Sequence, residues 1–169
     1  MPSSGYPVQS RASSAQTSAP QAPSGSTTAL LRMYNPVSRD HLYTTSAAER
    51  DDAVADFGYV DEGVACRVFA TAGTGTVPLL RMYKPGTGDH FYTTSVAERD
   101  RAVATHGYVD EGVACHVLPS AGTGTTPLLR TYKPATGDHF YTTSAADRDN
   151  AIATHGYADE GVACHVHPA

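Results

Sequence analysis

The chain has 169 residues, with 40% apolar and 17% charged side chains, which is enough apolar material to bury the core of one domain. This composition excludes a protein that is disordered, or embedded in a membrane, as a whole. The formal net charge of −5 also argues against a nucleic-acid partner, because proteins that bind phosphate backbones usually concentrate Lys and Arg on one face.

Residues 1–28 form a leader that is rich in Ser, Ala, Pro, Thr and Gln and has no apolar run. Such a segment cannot offset the entropy lost on ordering, so we expect it to be disordered. A secretory signal needs a continuous apolar stretch of roughly 7–15 residues, and the sequence shows none. We therefore expect a cytoplasmic protein, or one secreted by a non-classical route, with no insertion into a membrane.

The rest of the chain, residues 29–169, is predicted to be one domain built from three similar units with a period of 49 residues. The period holds for one tyrosine in each unit: Tyr34, Tyr83 and Tyr132. The units span residues 29–70, 78–119 and 127–168. The second and third units are nearly identical, whereas the first has diverged further.

Each unit contains signals for two strands, a helix and a third strand. In the second unit, the stretches "PLLRMY" and "HFYTTS" flank the turn sequence "KPGTGD" and predict a β-hairpin. Ser95, followed three residues later by Glu98, is typical of a capping box, and Gly107 stands where a left-handed cap would end the helix. The turn "YVDEG" then leads into the alternating strand "VACHVL". The predicted unit is β-β-α-β.

The predicted fold class is α+β, mainly β, in a single domain of three such repeats with pseudo-threefold symmetry. Open repeat arrays usually end in atypical polar repeats, but the last unit here is as regular as the middle one. We therefore favour a closed ring that is trefoil-like or resembles a small propeller. An open repeat array is the alternative, and association into a homo-oligomer stays open.

One cysteine occurs at the same place in each unit: Cys66, Cys115 and Cys164. An odd number of cysteines cannot pair off within the chain, and the strand pattern puts Cys115 on an apolar face with Val113 and Val117. We expect small buried core residues. A three-thiolate metal site is the alternative, but structural zinc sites normally have four ligands. We predict no metal and no cofactor.

Every unit keeps an Asp-His pair in an aromatic-rich hairpin. If Tyr83 pairs with His90 across the hairpin, then Arg81 opposes Tyr92, and the side chains of both pairs share one face. The candidate site of the second unit comprises Arg81, Tyr83, Asp89, His90, Tyr92 and Glu111. The equivalent sets are Arg32, Tyr34, Asp40, His41, Tyr43 and Glu62 in the first unit, and Arg130, Tyr132, Asp138, His139, Tyr141 and Glu160 in the third.

These residue types suit a shallow sugar site, because a sugar presents an apolar ring face and a rim of hydroxyl groups. We expect the tyrosines to form the stacking surface, Asp and His to hydrogen-bond the hydroxyl groups, and Arg or Glu to support them. Three weak sites on one scaffold would gain avidity toward a surface that displays many identical glycans. The alternative is that the charged groups only satisfy each other inside the protein.

The pattern "LYRxYNPxTGDHFYTTS…ERD…GYxxEGxAxxV" resembles an uncharacterised, lectin-like repeat family of fungal and bacterial proteins, often found beside cell-wall-acting domains. The resemblance covers Leu30 to Val166, and the first unit departs from it at Arg39, where Gly88 and Gly137 stand in the other units. It implies a carbohydrate-binding module for cell-surface or cell-wall glycans. For a fungal-type lectin without a signal peptide, it also implies a cytosolic role in defence.

We therefore predict a multivalent lectin with one site in each repeat, glycans as partners and no enzymatic activity. A structural or protein-interaction repeat module without a glycan ligand is the alternative, and a hydrolase is less favoured. Asp-His pairs could act as general bases, but a catalytic site usually breaks symmetry, whereas these candidates are triplicated. The sequence also lacks G-x-S-x-G, H-E-x-x-H and a phosphate-binding Gly-rich loop.

Overall fold

The computed structural model describes residues 25–169, and within this range it contains nine strands and three helices. The first unit forms β1 (Thr27–Asn35), β2 (Asp40–Thr44), α1 (Ala47–Asp56) and β3 (Val60–Phe69). The second forms β4 (Val77–Lys84), β5 (Asp89–Thr93), α2 (Val96–Thr105) and β6 (Val109–Val117). The third forms β7 (Thr126–Lys133), β8 (Asp138–Thr142), α3 (Ala145–His155) and β9 (Ala158–Val166). The predicted class, α+β and mainly β, is confirmed.

Residues 1–24 of the predicted leader lie outside the described residues. The predicted boundary after residue 28 is wrong by two residues, because β1 already begins at Thr27. Thr27 pairs with Phe69 and Thr28 with Val68 in the antiparallel ladder between β1 and β3. The β-branched Thr side chain suits a strand, but composition alone does not reveal that a partner strand is present.

The helices begin and end where the sequence predicts. Ser95 is the N-cap of α2, and its hydroxyl oxygen accepts a hydrogen bond of 3.1 Å from the backbone N–H of Glu98. Gly107 follows the helix with a φ of 74°, in the left-handed region that glycine adopts without steric cost. The longest of the three helices has 11 residues, and no helix in the described part of the chain is long and apolar enough to cross a membrane.

The strands form two sheets, in the order β2-β1-β3-β6-β4-β5 and β8-β7-β9. In each unit the first strand lies between the second and the third strand. The predicted hairpin register is confirmed, because Tyr83 pairs with His90 and Arg81 pairs with Tyr92. This register fixes which side chains of the hairpin lie next to one another.

The segment "VDEG", which the sequence predicts as a turn, is instead the first part of a strand. β6 begins at Val109, and its ladder with β4 shifts register between Arg81 and Met82. Gly112 has a φ of 86° and donates its N–H to the Asp110 carboxylate (2.8 Å), so the segment forms a bulge rather than a reversal of the chain. The bulge brings Oε1 of Glu111 to 3.0 Å from Nε of Arg81.

Three tyrosines, one from each unit, meet in the main hydrophobic core: Tyr43, Tyr92 and Tyr141. Their rings contact each other edge to face, with centroids 5.4–5.5 Å apart. The Tyr92 hydroxyl donates to the backbone carbonyl of Tyr43 (2.7 Å) and accepts the backbone N–H of Tyr43 (2.8 Å). The other two tyrosine pairs make the same two hydrogen bonds. Backbone groups of three different strands are therefore satisfied by buried phenols.

The cysteines are buried in the same core, as expected: Cys66, Cys115 and Cys164. Burial raises the pKa of the Cys66 thiol to about 12, and burial together with the nearby Cys66 raises that of Cys115 to about 12. A thiol with such a pKa stays protonated at neutral pH, so it is a poor nucleophile and a poor metal ligand.

Candidate functional site

Three clefts lie where a helix of one unit faces the strands of another unit. The α2 cleft has a volume of about 530 Å³ and lies between α2 and the strands β7, β8 and β9. The α3 cleft, of about 420 Å³, lies between α3 and the strands of the first unit. The α1 cleft, of about 680 Å³, lies between α1 and the strands of the second unit. These volumes fall in the usual range of small-ligand sites.

Four of the six predicted residue types line each cleft. In the α2 cleft they are Arg130, Tyr132, His139 and Glu160. In the α1 cleft they are Arg81, Tyr83, His90 and Glu111. In the α3 cleft they are Arg32, Tyr34, His41 and Glu62. Three of the four hairpin side chains predicted to share one face, the Arg, the Tyr of the first strand and the His, thus lie together in one wall of a cleft, and the Glu comes from the third strand of the unit.

An arginine at the floor of the α2 cleft connects two carboxylates. The guanidinium of Arg130 donates two hydrogen bonds to Glu98 of α2, of 2.9 and 3.1 Å, and its Nε lies 3.0 Å from Glu160. The guanidinium also lies over the Phe91 ring, 5.1 Å from the ring centroid. Because the planar guanidinium group is held on two sides, its orientation is fixed, and it in turn fixes the positions of both carboxylates.

The histidine of each cleft is held by an aspartate of another unit, and not by the Asp beside it in sequence. The Nδ1–H of His139 donates to Asp89 (2.7 Å), and the backbone N–H of His139 donates to the other oxygen of Asp89 (2.9 Å). The Tyr108 hydroxyl also donates to Asp89 (2.6 Å). Asp40 holds His90 and Asp138 holds His41 in the same way. Nε2 of His139 lies 3.5 Å from Glu160.

These contacts keep His139 charged. Burial opposes the charge, but the hydrogen bonds to Asp89 and Glu160 outweigh it and raise the pKa of His139 to about 9. The hydrogen bond from His139 in turn lowers the pKa of Glu160. At neutral pH the α2 cleft therefore contains an imidazolium ion between two carboxylates.

The raised pKa predicts that stability falls in alkaline solution. The folded state holds the His139 proton more tightly than the unfolded state, so this stabilisation is complete below about pH 6.5 and is lost as the pH rises through about 9. We expect the free energy of unfolding to decrease across this window by on the order of 3 kcal/mol. Urea unfolding at pH 6, 7.5 and 9.5 measures it, and His139→Gln is the reference variant. Equal pH slopes for both proteins would contradict the assignment.

Two of the six predicted residue types do not line a cleft. Tyr92 is 1% exposed and its hydroxyl is used in the core, so the predicted role of Tyr43, Tyr92 and Tyr141 as a stacking surface is wrong. Asp89 is also 1% exposed, and three protein donors occupy its oxygens. The predicted contact of a ligand with Asp40, Asp89 and Asp138 is therefore wrong as well. These aspartates position the histidines.

Sequence reasoning missed the side chains that the preceding unit contributes. Glu98 was predicted to close a capping box, but its carboxylate pairs with Arg130 instead. The Phe91 ring stacks on His139, with centroids 4.5 Å apart, and Tyr108 lies beside it in the same wall. A signal for the tyrosine was present, because the sequence "GY" recurs with the 49-residue period at Tyr59, Tyr108 and Tyr157.

The buried aspartates also form the one cluster, among the described residues, compact enough to hold a metal ion. One carboxylate oxygen each from Asp40, Asp89 and Asp138 lies within 4.8 Å of the others. Each carboxylate already accepts hydrogen bonds from a histidine ring, a backbone N–H and a tyrosine hydroxyl. These hydrogen bonds stabilise the buried carboxylates, and the cluster anchors the three histidines.

The sequence was compared with protein families, with curated proteins and with solved structures. One family model, described as a domain of unknown function (DUF5648), matches residues 13–167. No curated protein and no solved structure matches the chain. Since the match covers nearly the whole chain, the protein belongs to the DUF5648 family.

Proposed function

We propose that this protein is a multivalent carbohydrate-binding protein for cell-surface or cell-wall glycans, with one sugar site in each cleft. The observation that carries the proposal is the triplicated wall of Arg, Tyr, His and Glu facing an inter-unit cleft. The lectin-like sequence resemblance points the same way, while the family description names no activity.

The chemistry of the cleft wall suits a sugar. In the α2 cleft, Tyr132 is half-buried, and its ring lies 4.7 Å from that of His139, so one ring face can pack on the apolar side of a sugar. Glu160 and Arg130 supply fixed acceptors and donors for hydroxyl groups. The mutual pairing of these groups keeps them in place before a ligand arrives, which lowers the entropic cost of binding.

We also propose that the three units close into a ring with pseudo-threefold symmetry. Support comes from contacts that join the third unit to the first: Tyr141 to Tyr43, Asp138 to His41, and a bridge between Arg67 and His167. The first-to-second and second-to-third contacts are equivalent at the tyrosines and histidines. A closed ring would hold the three sites at fixed distances, which favours binding to a surface that repeats its ligand.

The protonation state of His139 fits a binding site better than a catalytic site. A general base must be unprotonated at the working pH, whereas His139 has a pKa raised to about 9 by its two carboxylate partners. The residues that line the α2 cleft include no Ser or Cys that this histidine could activate. We therefore propose a binding protein and no enzyme.

A printed glycan array tests the proposed function. Wild-type protein is expected to bind a defined set of glycans, and the triple variant Tyr34→Ala, Tyr83→Ala and Tyr132→Ala is expected to lose that binding, since it removes one ring from each cleft. Circular dichroism and the unfolding midpoint check that the variant is folded. Absence of any glycan binding by the wild-type protein would contradict the proposal and favour a structural or protein-interaction module.

A matched control uses another position that occurs once in each unit. Arg99 of α2 is half-buried, lies 2.8 Å from Asp100 and 3.4 Å from Asp110, and lines none of the three clefts. The triple variant of Arg50, Arg99 and Arg148 to Ala is expected to keep full glycan binding. If both triple variants lost binding equally, the clefts would not be the sugar sites.

A further inference from the structure

The α1 and α2 clefts have the same floor, an arginine between two glutamates, but differ at their rims. In the α3 cleft the equivalent Arg32 pairs with Glu62, and Asp147 stands in place of the helix glutamate.

Three equivalent rim positions are the last residue of the first strand of the unit, the middle of its helix, and the end of that helix. The α2 and α3 clefts differ only at the middle of the helix, whereas the α1 cleft differs from both at all three positions. In the α2 cleft the rim residues are Lys84, Arg101 and His106. In the α3 cleft they are Lys133, Asn150 and His155, and in the α1 cleft they are Asn35, Asp52 and Phe57.

The floor charges are compensated within the protein, so the rim determines the net charge that a ligand meets. Arg130 is paired with Glu98 and Glu160, and Arg81 is paired with Glu49 and Glu111. A ligand carboxylate would gain little from an arginine that already has two carboxylate partners. The unpaired rim charges therefore distinguish one cleft from another.

The rim of the α2 cleft is cationic. Nζ of Lys84 lies 5.5 Å from the centroid of the Tyr108 ring, which holds the ammonium group against the cleft wall. Arg101 is exposed on α2, and neither it nor Lys84 has a carboxylate partner among the described residues.

The rim of the α1 cleft has the opposite character. Asp52 occupies the helix position of Arg101, is exposed, and has no cationic partner in the described part of the chain. Asn35 replaces the lysine, and its side chain is used to donate to the Phe57 carbonyl (2.8 Å). Phe57 takes the place of His106 and is largely exposed. A negative ligand would be repelled here, whereas a neutral sugar meets an apolar ring.

We propose that the sugar sites are not equivalent: the α2 cleft selects sugars that carry a carboxylate, and the α1 cleft selects neutral sugars. This inference rests on the proposed carbohydrate-binding function and names the ligand class of two of its sites. The two clefts would let one molecule bind a glycan surface that displays acidic and neutral sugars together. The α3 cleft has Lys133 at its rim but the neutral Asn150 on its helix, so the charge of its rim lies between those of the other two clefts.

The test compares acidic glycans with carboxyl-reduced copies of the same glycans on one array. The probes are oligosaccharides ending in glucuronic, galacturonic or N-acetylneuraminic acid, each printed beside its reduced form. Wild-type protein is expected to prefer at least one acidic form. Arg101→Asp is expected to lower the ratio of binding to an acidic glycan over binding to its reduced form roughly tenfold, which corresponds to about 1.4 kcal/mol of binding free energy. Asp52→Arg should raise that ratio.

Arg99→Asp is the matched control, because it changes the net charge by the same amount on the same helix but outside the clefts. It is expected to leave the ratio unchanged. If Arg101→Asp keeps glycan binding and the wild-type ratio, the assignment of acidic sugars to the α2 cleft is overturned while the lectin function stands. An equal drop with Arg99→Asp overturns it too, since net charge would then explain the effect. If no glycan binds the wild-type protein, the proposed function itself fails.

Discussion

Replacing Asp89 with Ala is expected to lower the free energy of unfolding by about 3–5 kcal/mol. The carboxylate is buried and accepts hydrogen bonds from the His139 ring, the His139 backbone and the Tyr108 hydroxyl. Its removal would leave a buried imidazolium ion, a buried backbone N–H and the half-buried Tyr108 hydroxyl without this acceptor. Because domains of this size are stable by only about 5–15 kcal/mol, this single change would remove a large part of the total.

Urea unfolding at pH 7 measures this loss, with two variants as references. Asp89→Asn keeps the shape and one acceptor oxygen, so it is expected to cost less than Asp89→Ala. Asp100→Ala removes an exposed partner of Arg99 and is expected to cost less than about 1 kcal/mol. A loss for Asp89→Ala as small as that of Asp100→Ala would show that the Asp89 contacts do not join the second and third units.

The geometry within a unit was predictable because it depends on local signals. The strand pattern and the loop "KPGTGD" together determine the hairpin register that pairs Tyr83 with His90. The serine N-cap and the following glycine likewise determine where α2 begins and ends. Even Arg39, the position where the first unit departs from glycine, adopts a φ of 61°, so its loop keeps the left-handed conformation of the others.

The contacts between units were not predictable from the same signals. All five residues of β5, including Asp89 and Tyr92, are buried, because other units cover the face that would otherwise meet solvent. Alternation of polar and apolar residues therefore does not tell the inner face from the outer face of this strand. The sequence identified the right residue types in the hairpin, but not which of them lie in the cleft and which lie beneath it.

A similar limit applies to Glu98. A glutamate three residues after a serine at a helix start satisfies the capping-box pattern, and the serine half of that pattern is present. The glutamate side chain instead pairs with Arg130, which lies 32 residues away in the chain. Nothing in the local sequence indicates that a charged side chain has its partner in another unit. The 49-residue period shows only that an acidic residue recurs at this position.

The number of intact clefts should control binding to a glycan-coated surface far more than binding to a free sugar. The double variant Tyr83→Ala and Tyr132→Ala leaves only the α3 cleft with its wall tyrosine, Tyr34. We expect it to bind such a surface 10²- to 10⁴-fold more weakly than wild-type protein, in line with the usual gain from multivalency. The tyrosines are better targets than His90 and His139, because loss of a histidine would leave a buried aspartate without its partner.

Surface plasmon resonance on a chip that displays acidic and neutral glycans together measures the avidity, and calorimetry with each free sugar gives the number of sites and the affinity of each. Each single variant should still bind the chip strongly, because two clefts remain. In the double variant, the calorimetric site number should fall while the affinity of the remaining site stays at its wild-type value. If the folded double variant bound the chip as tightly as wild-type protein, the clefts would not act together, since avidity must collapse once fewer than two sites remain.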